Sequence, residues 1–96
     1  MPNAKGSVTG AKNEHQITFY GLSTCIWCRR TREFLESEGV QFDFYYVDLL
    51  TGVEREEAIK QVRKWNPAAS FPTLVIDGAR SVVGYRIEEI KTALGL

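Results

Sequence analysis

Apolar and polar residues alternate along this chain with two different periods, which predict strands and helices in succession. Four short runs are dense in β-branched and aromatic residues, which is typical of strands. Other segments repeat apolar residues every three or four positions, as in Ala58, Val62 and Trp65, which indicates amphipathic helices. The predicted elements are a strand at 15–20, a helix ending near 38, a strand at 42–48, a helix ending near 65, strands at 71–76 and 80–83, and a helix at about 86–94. This order predicts an α/β domain with a four-stranded mixed sheet flanked by three helices.

Polar and glycine-containing signals at the ends of these segments support the prediction. Ser23 and Thr24 offer hydroxyl groups that can cap the first helix. Thr51 and Glu54 have the spacing of a capping box at the start of the second helix. The dipeptide Asp77-Gly78, between the last two predicted strands, is a strong β-hairpin signal.

The first 14 residues differ in composition from the rest of the chain. They are rich in Gly, Ser, Asn, Lys and Thr, and Val8 is the one larger aliphatic residue before His15. Such a segment buries too little apolar surface to offset the entropy lost on ordering, so residues 1–14 are predicted to be a flexible N-terminal tail. An added edge strand is the alternative interpretation. Residues 15–96 are then predicted to form a single domain.

Charge and hydropathy argue against several classes of function. The 96 residues include 12 Lys and Arg and 12 Asp and Glu, so the formal net charge is zero. This chain therefore lacks the basic excess that would indicate binding to nucleic acid or to an anionic membrane. No apolar run approaches the roughly 18–20 residues that span a bilayer, and no stretch resembles a signal peptide. We expect a cytoplasmic protein that is a monomer.

Both cysteines, Cys25 and Cys28, lie where the first predicted strand gives way to the first helix. A disulfide between them would close so short a loop that it would add little stability, so the spacing favours redox chemistry over a structural role. Backbone donors and the dipole at a helix N-terminus favour the thiolate form of Cys25. We expect Cys25 to be the exposed nucleophile and Cys28, about one turn on, to be the more buried resolving thiol. Arg29 and Arg30 either assist the thiolate or are ordinary solvated side chains.

Zinc binding is the competing use of two cysteines at this spacing. A structural zinc site usually needs four ligands. This chain offers two cysteines and one histidine, His15, beside the predicted tail. We therefore predict no metal site within one chain, while a four-thiolate site shared by two chains stays open. A binding or metal-handling module without turnover is the second class of function that we consider.

Three segments together resemble the glutaredoxin family of the thioredoxin superfamily. Residues 20–28 (YGLSTCIWC) resemble its active-site segment, residues 70–73 (SFPT) lie where it has a cis-proline, and residues 83–86 (VGYR) lie where it has a glycine turn before the last helix. The resemblance implies a thioredoxin-like, glutaredoxin-type fold and a thiol–disulfide oxidoreductase acting on protein or small-molecule disulfides. It also implies that a reversible Cys25–Cys28 disulfide is the redox carrier. No bound cofactor is then needed, and glutathione or a thioredoxin reductase-type enzyme would be the reductant.

The resemblance also implies roles for residues outside the cysteine loop. Pro72 is expected to be cis, with the neighbouring backbone of Phe71 pairing with an incoming peptide or glutathione. A trans proline that merely begins a strand is the alternative. Gly84 and Tyr85 are expected to form another wall of the site. Trp27 and Tyr85 either form an apolar lip that docks a partner or fill space in the core, and for Trp27 we expect exposure.

The chain departs from common glutaredoxin features at several positions. Ile26-Trp27 replaces the usual Pro-Tyr pair between the cysteines, and Leu22 occupies a position where a basic residue often meets a carboxylate of glutathione. Tyr85-Arg86 follows Gly84, where an acidic pair is common, and this ending is similar to that of NrdH-redoxins. Those proteins donate electrons to ribonucleotide reductase and draw them from thioredoxin reductase. An electron donor of that kind is the alternative function.

Overall fold

The computed structural model describes residues 3–96, which form eight helices and strands. In chain order they are β1 (Lys5–Val8), β2 (Ile17–Gly21), α1 (Ile26–Ser37), β3 (Phe42–Tyr46), α2 (Gly52–Trp65), β4 (Thr73–Ile76), β5 (Arg80–Val83) and α3 (Ile87–Leu94). All but β1 overlap the segments that the sequence predicts. None of the helices in residues 3–96 is long and apolar enough to cross a membrane.

The strands form one mixed sheet in the order β1-β3-β2-β4-β5. Strands β2 and β3 run parallel, while the pairs β1–β3, β2–β4 and β4–β5 are antiparallel. Parallel neighbours need a long crossover connection, which α1 provides between β2 and β3. The predicted mixed sheet with three helices is therefore confirmed. The predicted number of strands is wrong, because the sheet has five strands and not four.

The additional strand, β1, lies within the segment that was expected to be a flexible tail. It pairs antiparallel with β3, with Gly6 opposite Phe44 and Val8 opposite Phe42. The buried ring of Phe44 packs closely against Gly6, where a Cβ atom would lie 3.0 Å from the ring. Backbone pairing with the edge of β3 thus orders a segment that has few apolar side chains of its own. The tail prediction is wrong for this strand, and residues 1 and 2 lie outside the described residues.

Two clusters of buried apolar residues lie on the two faces of the sheet. Successive side chains of a strand point to opposite faces, and accordingly Phe19 belongs to one cluster and Tyr20 to the other. The first cluster includes Leu35 of α1 and Ile90 of α3, and the second includes Val62 of α2. Helices α1 and α3 therefore cover one face and α2 covers the other.

The turns and caps agree only in part with the predicted local chemistry. Both residues of the Asp77-Gly78 turn have positive φ, 56° and 59°, as a tight hairpin turn requires. Thr51 does precede α2, but its side chain makes no capping hydrogen bond, so the predicted capping box is wrong. Glu54 instead forms an ion pair with Lys5, which joins α2 to β1.

Candidate active site

Cys25 occupies the N-cap position of α1 and not its first turn. Its backbone is extended (φ −90°, ψ 121°), and its Sγ accepts a hydrogen bond from the backbone N–H of Cys28 at 3.3 Å. The predicted caps, Ser23 and Thr24, are wrong because the sulfur of Cys25 takes the part that a hydroxyl oxygen usually plays. A backbone donor at the positive end of a helix stabilises negative charge on this sulfur.

Cys28 lies in the first turn of α1 and is fully buried in the apolar cluster that contains Phe19. Its Sγ accepts a hydrogen bond from the N–H of Leu22 at 3.4 Å. Burial, and secondarily the contact with Cys25, raises the pKa of the Cys28 thiol to about 12, while the Leu22 donor acts in the opposite direction. Both thiols are free, but Cys25 is only half-buried and Cys28 has no exposed surface. The two sulfurs therefore have very different environments.

Glycine is required at position 21, where β2 leads into the cysteine loop. A Cβ atom at Gly21 would lie 2.7 Å from the ring of Phe19 and 3.3 Å from Cβ of Cys28. The C=O of Gly21 accepts a hydrogen bond from the N–H of Val47 at 3.0 Å. The backbone is thus held directly against the core where Cys28 enters it.

A carboxylate just beyond β3 holds the loop that carries the cysteines. Asp48 accepts two hydrogen bonds from Ser23, one from its N–H at 2.9 Å and one from its hydroxyl. In the same loop, the C=O of Leu22 accepts a hydrogen bond from the N–H of Cys25 at 3.2 Å. The N–H of Leu22 donates to the sulfur of Cys28. Desolvation acts to raise the pKa of Asp48, but the hydrogen bonds from Ser23 outweigh it and the pKa is lowered. Asp48 is therefore ionised, and its hydrogen bonds with Ser23 hold the cysteine loop in place. The same loop contacts both thiols.

The loop before β4 contains Phe71 and Pro72. The Phe71–Pro72 peptide bond is cis, as the resemblance implies. The C=O of Pro72 accepts a hydrogen bond from the N–H of Gly84 at 2.8 Å, which joins this loop to the turn after β5. Phe71 and Cys25 both pack against the same apolar cluster. Within residues 3–96, neither the N–H nor the C=O of Phe71 has a backbone partner.

The same loop is braced by Asn66, the residue that follows α2. The buried amide of Asn66 lies within hydrogen-bonding distance of the C=O and hydroxyl oxygens of Ser70 (3.1 and 2.9 Å) and of Thr73 Oγ1 (3.3 Å). The hydroxyl of Thr73 donates to the C=O of Ser70 at 2.8 Å. These bonds connect the end of α2 to the start of β4 and hold Phe71-Pro72 between them.

Two exposed aromatic side chains meet beside the cysteine loop. The rings of Trp27 and Tyr85 are stacked, with centroids 5.4 Å apart and an interplanar angle of 28°. Trp27 is 51% exposed and Tyr85 is 40% exposed, so neither ring fills space in the core. The guanidinium of Arg30 lies 5.5 Å from the centroid of the Trp27 ring, within range of a cation–π interaction. The stack joins the first turn of α1 to the turn at Gly84.

The predicted site residues are brought together through direct contacts. The contacts join Cys25 with Cys28, Trp27 with Tyr85, and Phe71-Pro72 with Gly84. Their catalytic and binding roles stay predictions. Sequence analysis missed Asp48 and Asn66. A signal for Asp48 was available, because residues just after two parallel neighbouring strands lie at the same edge of the sheet.

Metal ligands do not cluster in the part of the chain that the structure describes. Within residues 3–96, no three His, Cys, Asp or Glu side chains come together as a metal-binding group. The ring of His15 forms a contact with Asp77 of the hairpin, Nδ1 to Oδ2 at 2.7 Å. The absence of a metal site stays a prediction.

A reduced cysteine pair at the N-terminus of a helix, next to a cis-proline loop and a mixed sheet, defines a dithiol protein of the thioredoxin-like class. The family model described as Glutaredoxin matches residues 17–80 of this chain. The chain therefore belongs to the glutaredoxin family, as its sequence resemblance predicts.

Individual relatives agree with this assignment. The chain is similar to the glutaredoxin from Methanosarcina mazei Go1, with 42% identity and a TM-score of 0.91 over 98% of this chain and 90% of that chain. Methanoredoxin from Methanosarcina acetivorans is 41% identical, with a TM-score of 0.91 over 97% of this chain and 98% of that chain. A glutaredoxin-like 8.6 kDa protein in the rubredoxin operon of Clostridium pasteurianum is 31% identical over 74 residues, which are 77% of this chain and 91% of that protein. The predicted thioredoxin-like fold is confirmed, and thiol–disulfide oxidoreduction is supported as the general chemistry.

Burial of Cys28 makes the stability of the reduced protein depend on pH. The folded protein holds this thiol proton up to a pKa of about 12, whereas the ordinary thiol pKa is 9.0. Above pH 9.0 unfolding therefore releases a proton, and the free energy of unfolding falls as pH rises through this range. Between about pH 8 and about pH 10.5, urea titrations under reducing conditions should show about 2 kcal/mol more loss for the wild type than for Cys28→Ala. Equal losses of stability in the wild type and in Cys28→Ala would contradict the buried environment of the Cys28 thiol.

The hydrogen bonds between Asp48 and Ser23 predict a specific defect in the second thiol step. Ellman's reagent should release one thionitrobenzoate when Cys25 reacts and a second when Cys28 displaces the first adduct. We expect Asp48→Ala to slow the second release about three- to tenfold, because losing both hydrogen bonds from Ser23 weakens the hold on the loop by about 1 kcal/mol in total. Stopped-flow absorbance measures both phases.

The matched variant Asp48→Asn separates hydrogen bonding from charge. Its amide oxygen can accept from the Ser23 N–H, and its amide N–H can donate to the Ser23 hydroxyl. The second phase of Asp48→Asn should therefore stay within about twofold of the wild-type rate. A wild-type rate for Asp48→Ala, or an equal defect in both variants, would show that these hydrogen bonds do not position the thiols.

Proposed function

We propose that this protein is a dithiol disulfide oxidoreductase that reduces protein or small-molecule disulfides. The Cys25 thiolate attacks one sulfur of the substrate disulfide, whose S–S bond breaks as a mixed disulfide forms. Cys28 then loses its proton and attacks Cys25 Sγ, which releases the second substrate thiol and leaves a Cys25–Cys28 disulfide. Two electrons and two protons have then passed from the protein to the substrate. The carrying observation is that Cys28 is buried while its N–H donates to the more accessible sulfur of Cys25.

We propose that the substrate chain lies along Phe71, whose backbone N–H and C=O have no backbone partner within residues 3–96. Pairing of an extended peptide with these groups would present its sulfur in the region of Cys25. Gly84 and Tyr85 would form the adjoining wall, and the exposed ring of Trp27 would contact the partner. The support for this arrangement is the hydrogen bond between Pro72 and Gly84, together with the stack of Trp27 on Tyr85.

The electron source that we propose is a thioredoxin reductase-type enzyme, with glutathione as the other reductant open to this family. Leu22 is partly buried against the apolar cluster on the α2 face, so this position offers no cation for a carboxylate of glutathione. Arg86 lies after Gly84, and its Nη1 is 3.2 Å from Glu89 Oε1. These features favour an electron donor of the NrdH-redoxin type as the second candidate function. The reducing cytoplasm is the compartment that suits such a dithiol cycle, and no bound cofactor or second copy of the chain is required by it.

The order of attack predicts which variant traps a substrate. Cys28→Ser keeps the nucleophile but cannot resolve the mixed disulfide, so incubation with insulin should give a covalent adduct at Cys25. Non-reducing electrophoresis and mass spectrometry of the linked peptides would identify it. Cys25→Ser is the matched control and should form little adduct, because its remaining thiol is buried and protonated. Trapping by Cys25→Ser alone would reverse the assigned roles.

The proposed electron source predicts a difference between two coupled assays. With equal protein and insulin, NADPH oxidation through thioredoxin reductase should exceed that through glutathione and glutathione reductase by about tenfold, because one missing charge-assisted hydrogen bond to glutathione is worth about 1.5–3 kcal/mol. Leu22→Lys restores a cation and should raise the glutathione-dependent rate while leaving the other assay nearly unchanged. A faster glutathione assay with the wild type would assign the protein to the glutathione-dependent branch.

A further inference from the structure

Exposed apolar side chains are concentrated beside the cysteines. The large hydrophobic residues exposed within residues 3–96 are Ile26, Trp27, Val53, Tyr85 and Leu96. Three of these five lie either in the first turn of α1 or in the turn that contacts it. Because Trp27 stacks on Tyr85, the two turns present one continuous surface. We call Ile26, Trp27 and Tyr85 the aromatic face.

Two arginines border the aromatic face without an intramolecular counter-ion. Arg29 lies three residues after Ile26 in α1, so these two side chains are neighbours on the helix surface. The backbone N–H of Arg29 donates to the C=O of Cys25 at 3.0 Å. Arg30 lies 5.5 Å from the centroid of the Trp27 ring. Both side chains are exposed, and neither belongs to any ion pair found in residues 3–96.

The nearby acidic groups are already engaged or lie further along the helix, and Asp48 accepts two hydrogen bonds from Ser23. Glu36 is paired with Arg32, and Glu89 is paired with Arg86. Glu33 lies one turn beyond Arg29, towards the C-terminal end of α1 and away from the cysteine. The border of the aromatic face nearest Cys25 therefore carries positive charge that is not neutralised within 4 Å.

We propose that the aromatic face and its two arginines, Arg29 and Arg30, recognise protein partners whose reactive disulfide is flanked by acidic and apolar side chains. This inference rests on the proposed disulfide reduction and specifies its substrate class. Trp, Tyr and Arg are the residues that most often dominate the energy of protein interfaces. A partner protein would cover the exposed stack, while its carboxylates would meet the two guanidinium groups. Such pairing raises the association rate and weakens as salt screens it.

The inference is tested with two synthetic peptide disulfides that differ only in flanking charge. Each carries the same aromatic residue beside the disulfide, with two Glu residues in one peptide and two Lys residues in the other. The reduced protein is mixed with each peptide in single-turnover reactions, which need no reductase, and the second-order rate constant is measured by acid quench and chromatography. We expect the acidic peptide to react about three- to tenfold faster at low salt. The difference should shrink in about 0.5 M salt.

Charge reversal at the two arginines supplies the decisive variant. Arg29→Glu with Arg30→Glu should abolish or invert the preference, which is measured as the ratio of the two peptide rates so that any change in the reactivity of Cys25 cancels. Reduction of the uncharged 2-hydroxyethyl disulfide measures that reactivity separately. The matched control is Lys60→Glu with Arg63→Glu, which changes net charge equally at exposed positions of α2 and should keep the preference. Trp27→Ala should slow both peptides, since they share the aromatic residue.

Each possible failure has a different meaning. Equal rates for the two peptides, or an unchanged preference after reversal at Arg29 and Arg30, would overturn the proposed partner class while leaving disulfide reduction intact. An equally large loss with glutathione disulfide would also overturn it, because the arginines would then recognise a small carboxylate-bearing molecule. Failure to reduce even the uncharged disulfide would refute the proposed function, and this inference with it.

Discussion

The site depends on one hydrogen bond, from the backbone N–H of Cys28 to the sulfur of Cys25. A helix begins with unpaired N–H groups that need acceptors, and here one acceptor is the sulfur of the proposed nucleophile. Sulfur is a weaker acceptor than a hydroxyl oxygen, so other bonds share the task of holding the start of α1. The N–H of Cys25 donates to the C=O of Leu22, and the C=O of Cys25 accepts a hydrogen bond from the N–H of Arg29. The helix therefore starts at a fixed residue, and one turn later it buries Cys28.

The register of the sheet brings the other parts of the site to the same place. Strands β2 and β3 are parallel, so the residues that follow them, Ser23 and Asp48, emerge at one edge of the sheet and bond to each other. Strand β4 runs the other way and begins at Thr73, opposite Tyr20 near the end of β2. Thr73 is also opposite Val83 at the end of β5. The cis-proline loop and the glycine turn thus reach the edge from which the cysteine loop emerges, because of strand direction alone.

Features that depend on neighbouring residues were largely predictable from the sequence, and features that depend on distant pairing were not. The cysteine spacing and the Asp77-Gly78 hairpin are local signals, and the structure agrees with them. The cis state of Pro72 came from the resemblance, since an X-Pro bond alone does not determine its isomer. Strand β1 was only the alternative interpretation of the first 14 residues, because its order comes from backbone pairing with β3, to which its own side chains contribute little.

The errors at the helix starts have a related cause. Ser23 and Thr24 both offered hydroxyl groups near the start of α1. Contacts with residues distant in sequence determined which residue caps the helix. Ser23 donates its N–H and its hydroxyl to Asp48, and Cys25 is the N-cap residue instead. At the start of α2, Glu54 pairs with Lys5 of β1, and Thr51 makes no side-chain cap. In both cases a side chain that was expected to act locally is engaged by a residue that is distant in sequence.

Burial of Cys28, the proposed resolving thiol, raises the question of how it can act at neutral pH. The causes that raise the pKa of Cys28 are burial first and then its contact with Cys25, to which the charge of Asp48 adds. The contact with Cys25 is the cause that the proposed reaction changes directly. Once Cys25 is bonded to a substrate sulfur it carries no negative charge, so one of the obstacles to a Cys28 thiolate is removed. The hydrogen bond from Leu22 already favours that thiolate. In the proposed mechanism, the first attack therefore removes part of what keeps Cys28 protonated, and so favours the second attack only after the mixed disulfide has formed.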